Sequence, residues 1–167
     1  RPTFDAIENK YKVERWLILA IWGMETSYGA LKDKWDGIRS LATLGFAKYR
    51  DPYFRNELLI ALKIIQDGHI AREKFVTSWA GAMGQTQFMP TNFVDYAADF
   101  NGDGRRDIWT NVPDVLASTA NYLAEHGWRP REGFAEGTPN FAALKTWNGS
   151  DVYVKTVAAF ATRLAKR

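Results

Sequence analysis

Apolar residues recur at helical spacing in segment after segment of this chain, and no stretch sustains the every-second-residue alternation of a half-buried strand. That periodicity predicts a mainly α fold. Val13, Trp16, Leu17, Ala20 and Met24 define one helix, whose pattern fades at Glu25-Thr26-Ser27 just before Gly29. A second is expected to open at Asp51-Pro52, an acceptor followed by a proline that needs no donor, and to run through Phe54, Leu58, Ala61, Leu62 and Ile65 to Gly68. A third starts at Asn111 to Pro113, carries Val115, Leu116, Ala120 and Leu123, and ends at His126-Gly127. The last runs from Ser150 and Asp151 to Leu164, and shorter helices are expected at Gly37 to Ala47 and at Thr91 to Ala98.

A chain of 167 residues, 46% of them apolar, can bury a core without covalent staples, so one domain over 1–167 is the expectation. The absence of cysteine excludes disulfides, thiolate zinc sites and cysteine nucleophiles. With 22 Lys+Arg against 19 Asp+Glu, scattered along the chain, there is no basic stripe of the kind a nucleic-acid groove needs. No apolar run reaches the ~20 residues of a membrane span. Arg1-Pro2-Thr3 offers neither an initiator methionine nor a signal sequence, which reads as a mature or trimmed piece.

Function is expected in the segments between helices. Glu25 stands at the C-terminal end of its helix with Ile18, Ile21 and Trp22 behind it on the same face. Those neighbours would desolvate the carboxyl, and the negative end of the helix dipole would oppose its ionisation, which together give the profile of a general acid. The alternative is an ordinary solvated glutamate at a frayed end. Ser78 to Phe88 combines hydroxyls, amides, aromatics and two glycines, Gly81 and Gly84, whose backbone could approach a neutral polar ligand such as sugar; the plainer reading is a tight loop with Trp79, Met83 and Phe88 in the core. Trp147-Asn148-Gly149-Ser150 with Tyr153 adds a second aromatic and amide cluster. Asp99, Asn101 and Asp103 alternate oxygen ligands as in the first half of a calcium loop, yet Thr110 holds the closing position where a bidentate acid belongs. Successive polar turns explain the same residues. Trp128 to Pro139, with its prolines and glycines, reads as a surface connection, and His69 and His126 lack the spacing of a metal pair.

Ile21-Trp22-Gly23-Met24-Glu25-Thr26, Leu41-Ala42-Thr43-Leu44, the run from Ala80 through Gly84-Gln85-Thr86-Gln87 to Met89-Pro90, and Asp103-Gly104-Arg105-Arg106-Asp107-Ile108-Trp109 resemble, in that order, blocks of the lytic murein transglycosylases of the B type. Ser118 to Trp128, Asn140-Phe141, Trp147-Asn148 and Tyr153 extend the resemblance over nearly the whole chain. It implies a lysozyme-like helical domain in the bacterial cell envelope, or periplasm, acting as a monomer on peptidoglycan glycan strands. The implied reaction cleaves the bond between N-acetylmuramic acid and N-acetylglucosamine to leave 1,6-anhydro ends, with no cofactor required. By position in the family's motifs, Glu25 would be the single catalytic acid and base, Ser78 and Gln87 would contact Glu25 or the muramic sugar, and Tyr122, Asn148 and Tyr153 would line the same cleft. Some members bind calcium in the loop matching Asp99 to Asp107, and Asp114 is the nearest match here to their later acid. Such an ion would be structural only. Two departures stand out: the family's residues upstream of Arg1 are missing, and its long insertion between Trp128 and Asn140 is reduced to a short linker at 128–139. The competing functions are a hydrolase pairing Glu25 with Asp95 or Asp99, and a peptidoglycan-binding module without catalysis.

Overall fold

A computed structural model describes residues 2–166. The chain forms α1 (Pro2–Tyr11), α2 (Arg15–Thr26), β1 (Trp35–Asp36), α3 (Gly37–Phe46), α4 (Tyr53–Gln66), β2 (Val76–Thr77), α5 (Pro90–Tyr96), α6 (Val112–Glu125), α7 (Pro139–Trp147) and α8 (Asp151–Ala165), with one turn of 3-10 helix at Arg72–Lys74. The two strands pair antiparallel, Trp35 opposite Thr77. Every helix expected from periodicity is present, and the mainly α reading holds.

Three features differ from expectation. The helices α1 and α7 lack a strong sequence signal, since α1 buries Ile7 alone among its described residues and α7 is only 9 residues long. The strands are two residues long, too brief to show alternation. Finally, α4 begins at Tyr53 with Pro52 rather than Asp51 at its cap and no side chain bonding its first amides. Other starts follow the sequence: Asp36 accepts from the Arg39 amide at 3.0 Å, Asn111 from Asp114 at 3.3 Å and Ser150 from Tyr153 at 3.4 Å.

The core is organised around α2, whose Leu17, Ile18, Ala20 and Ile21 are buried and which packs against α8 and α6. α3 lies on α4, and α4 on α5. α6 is buried along most of its length, from Asp114 to Ala120 and again at Tyr122 and Leu123. The 128–139 connection is less free than its composition suggests. Trp128 enters the core and donates its indole N–H to Glu14 at 2.9 Å, while buried Asn140 bonds Arg129 through both its amide and its carbonyl.

The start of α5 is capped from another helix. Met89 supplies no side-chain acceptor, so Glu57 of α4, only 2% exposed, takes the Thr91 amide at 2.9 Å and the Thr91 hydroxyl at 2.6 Å. Removing it would leave buried donors without a partner. Glu57→Ala should therefore lower the unfolding free energy by about 1–3 kcal/mol, measured by urea denaturation, with Glu57→Gln recovering part of the loss.

Candidate active site

Glu25 occupies the last turn of α2, and the chain leaves that helix through three consecutive left-handed residues, Ser27, Tyr28 and Gly29. Only glycine fits the third: a Cβ there would lie 2.3 Å from the Gln85 side-chain oxygen. That contact marks a junction. Gln85 accepts from the Trp22 indole N–H at 2.8 Å, donates to the Trp109 carbonyl at 2.9 Å, and its own carbonyl receives the Thr26 hydroxyl at 3.3 Å. One buried amide thus ties the end of α2 to the glycine segment and to the loop before α6.

The carboxyl group itself is bound from the other end of the chain. Its Oε1 accepts the indole N–H of Trp147 at 2.9 Å and also the hydroxyl of Tyr153. The turn between α7 and α8 sets up both donors, with Asn148 Oδ1 taking the Ser150 amide at 3.0 Å and Ser150 capping the helix that carries Tyr153. Behind Trp147 stand Tyr122, edge-on at 4.9 Å, and Phe88 at 5.4 Å. Burial pushes the proton affinity of Glu25 up, and the Tyr153 and Trp147 hydrogen bonds pull it only part of the way back. Burial beside Glu25 likewise raises that of Tyr153, which stays a donor. Because Oε1 already accepts two donors and Oε2 has no partner among the described residues, a proton on this group belongs on Oε2. The arrangement is a carboxyl with a raised proton affinity, one oxygen held by two donors and the other without a partner among the described residues.

The other sequence-derived residues are distributed around this group. Tyr153 touches Glu25, whereas buried Tyr122 gives its hydroxyl to the Thr146 carbonyl at 2.7 Å and supports Trp147. Ser78 Oγ accepts from the Ala82 amide at 3.0 Å, Gln87 donates to Asp33 at 3.1 Å and to the Gly84 carbonyl at 3.0 Å, and Asn148 is taken up by its own turn. None of the three bonds Glu25. The glycines of this segment serve the fold more than a ligand, since a Cβ would meet Leu41 at 2.4 Å from Gly81 and the Ile108 carbonyl at 2.6 Å from Gly84. Met83 and Phe88 are core, but Trp79 is 61% exposed. Trp147 as a donor to Glu25, and Gln85 as the junction, were not legible in the sequence. Gln85 and Gln87 are the same residue type two positions apart, and only burial separates them.

Asp95 and Asp99 share no hydrogen-bond partner with Glu25. Both Asp99 oxygens are held by the amides of Gly102, Asp103 and Gly104, Asn101 and Asp103 bond each other, and Asp114 turns inward to take the Phe100 and Asp107 amides at 2.8 and 2.9 Å. Among the described residues no three acids or histidines converge on a point. As arranged, these side chains bond the amides of their own loop.

This geometry belongs to a known class of structures. The chain superposes on the crystal structure of SltB3 from Pseudomonas aeruginosa in complex with NAG-NAM-pentapeptide with a TM-score of 0.92 and 32% identity, covering 98% of this chain and 60% of that one. The lytic transglycosylase SLT35 of Escherichia coli in complex with calcium matches with a TM-score of 0.88 and 26% identity, over 98% of this chain and 70% of that one. The fold is therefore that of the lysozyme-like lytic transglycosylases. Residues 1–137 match the family described as the transglycosylase SLT domain, and the chain belongs to that family. The membrane-bound lytic murein transglycosylase B of Escherichia coli is 38% identical over 138 residues, which is 78% of this chain but only 38% of that protein's length.

The two donors on Oε1 make a direct prediction. Tyr153→Phe removes the hydroxyl that favours the ionised carboxylate, so the Glu25 titration should move to higher pH, followed by carbon-13 NMR of the labelled side-chain carboxyl. Tyr122→Phe, which leaves Oε1 untouched, should not move it.

Proposed function

We propose that this domain is a lytic transglycosylase acting on peptidoglycan glycan strands, with Glu25 as its single acid and base. The observation that carries the reading is the division of labour on Glu25: two donors on Oε1, burial that raises the proton affinity of the group, and an Oε2 without a partner among the described residues. In the first step the Oε2 proton passes to the glycosidic oxygen as its bond to C1 of N-acetylmuramic acid breaks, releasing N-acetylglucosamine as an alcohol. The developing positive charge at C1 is met by the sugar's own acetamido group, as in substrate-assisted glycosidases. The Glu25 carboxylate, stabilised by Trp147 and Tyr153, then removes the proton of the C6 hydroxyl while O6 bonds to C1. That step forms the 1,6-anhydro ring and restores protonated Glu25. No water is consumed, so no second carboxylate has to hold one.

Ser78 and Gln87 on the glycine segment and Asn148 in the α7–α8 turn, with Tyr122 and Tyr153, are assigned to the sugar cleft. Peptidoglycan lies outside the cytoplasmic membrane, which places the working domain in the cell envelope. A monomer suffices, since the groups assigned to the chemistry come from one chain. Family relatives include a calcium complex; here a cation has no role in the chemistry, and the Asp99 to Asp107 loop offers a weak site at best because no acid closes it.

Mass spectrometry of the products tests the assignment. Purified cell walls should yield muropeptides with anhydro ends, and Glu25→Gln should cut the rate by about 10²–10⁴-fold. Reducing ends throughout would establish a hydrolase, and wall binding without clearing would establish a binding module. For the loop, a dissociation constant on the order of 10⁻⁴–10⁻³ M limits stabilisation at 1 mM calcium to about 1.4 kcal/mol. The melting temperature should rise by less than about 5 °C over that in chelator, Asp103→Ala should remove the rise, and activity in chelator should be unchanged.

A further inference from the structure

Gln87 has a feature that the proposed chemistry does not use. Its backbone is left-handed, with φ of 53°, and both hydrogens of its side-chain amide are engaged, one by Asp33 Oδ2 at 3.1 Å and one by the Gly84 carbonyl at 3.0 Å. Its Oε1 has no partner among the described residues and is not among the buried polar atoms left unsatisfied, so it meets solvent. A carboxylate can only accept, and an amide can be turned either way round. Asp33, with the Gly84 carbonyl, therefore decides which end of Gln87 is free, because both can only accept from it.

We propose that Asp33 is a positioning residue for substrate recognition: it holds the Gln87 amide so that its carbonyl oxygen faces the cleft as a fixed acceptor for a sugar N–H or O–H. The proposal rests on the reading of Gln87 as a sugar contact. Asp33 touches no substrate itself. It lines a cavity of about 450 Å³ together with Lys32, His69, Lys74, Arg105 and Asp107, and Lys34 follows it in the chain. None of the cations there comes within ion-pairing distance of it among the described residues. Asp107 is spent on its own turn, holding the Trp109 and Thr110 amides at 2.9 and 2.8 Å. His69 accepts the Arg106 amide at 3.3 Å, and burial with the nearby Arg106 charge keeps it neutral to lower pH than usual.

With no cation close enough to offset it, burial moves the Asp33 carboxyl up to about 6, against the opposing Gln87 hydrogen bond. A proton on Asp33 belongs on Oδ1, which leaves Oδ2 to accept from the Gln87 amide, so protonation removes the charge from the contact and not the contact itself. The Gly84 carbonyl continues to hold the same amide nitrogen. The orientation of Gln87, and with it sugar recognition, should therefore persist as pH falls through about 6. The Asp33→Asn substitution keeps an Oδ1 to accept from the Gln87 amide and has no proton to gain over this range.

The test separates binding from cleavage by working in the Glu25→Gln background, with chitotetraose as the probe and calorimetry across pH 5 to 8. Adding Asp33→Ala should weaken binding about five- to tenfold at pH 7.5, and adding Asp33→Asn should restore it to within about twofold. Binding should stay within about twofold from pH 8 to 5 with either aspartate or asparagine at this position, since each keeps an acceptor for the Gln87 amide. On cell walls, Asp33→Ala alone should raise KM with little change in kcat. Unchanged binding in Asp33→Ala, or failure of Asp33→Asn to restore it, overturns the proposal. So does a loss in both variants accompanied by a fall in melting temperature, which would make Asp33 structural. Activity retained by Glu25→Gln would instead defeat the catalytic assignment and leave the binding results to judge Asp33.

Discussion

The side chain of Gln85 joins three parts of the molecule that the backbone leaves separate. Its oxygen holds the indole of Trp22 on α2, its nitrogen holds the carbonyl of Trp109 ahead of α6, and its backbone carries the glycine segment between them. Thr26 adds a second strut one residue beyond Glu25. A buried amide with both ends used is stiff, because swapping its orientation would break two hydrogen bonds in an apolar setting and gain none. The end of α2 is thereby fixed against the loop that carries Ser78 and Gln87. Without that strut, the left-handed exit at Ser27 to Gly29 would set the position of the carboxyl alone.

Once α2 is fixed, electrostatics completes the site through an asymmetry between two oxygens of one carboxyl. Apolar neighbours on α2 raise its proton affinity, while the Trp147 and Tyr153 donors moderate the shift and mark one oxygen as the acceptor. The same logic recurs at Gln87, where a neighbouring carboxylate decides which end of an amide is free. In both places orientation is set by counting donors and acceptors. No second charge has to be buried beside the first.

Much of the helical scaffold was readable in advance because its cause is local. Helix faces such as Leu17, Ala20 and Ile21, and the caps at Asn111 and Ser150, depend on residues within a turn or two. The desolvation of Glu25 was readable too, since Ile18 and Ile21 lie on its own helix. Its partners were not, because Trp147 and Tyr153 follow 122 and 128 residues later and nothing local announces that an indole will point back across the fold. Gly81 and Gly84 were legible as tight positions but not as contacts of Leu41 and Ile108. The calcium-like spacing of Asp99, Asn101 and Asp103 was equally plain, yet whether such oxygens open outward or satisfy their own loop depends on Asp114, buried on the next helix.

The distance in sequence between Glu25 and its two donors also bears on the order of events during synthesis. α2 is made before α7 and α8, so Glu25 at first lacks both the donors that hold it and the surroundings that bury it. Its raised proton affinity comes with burial in the fold, where α8 docked against α2 brings Tyr153 onto Oε1 and the end of α7 brings Trp147. The proton affinity of the carboxyl is thus a property of the assembled helices and not of α2 alone. A molecule cut ahead of α7 would carry the glutamate without the two donors that orient it.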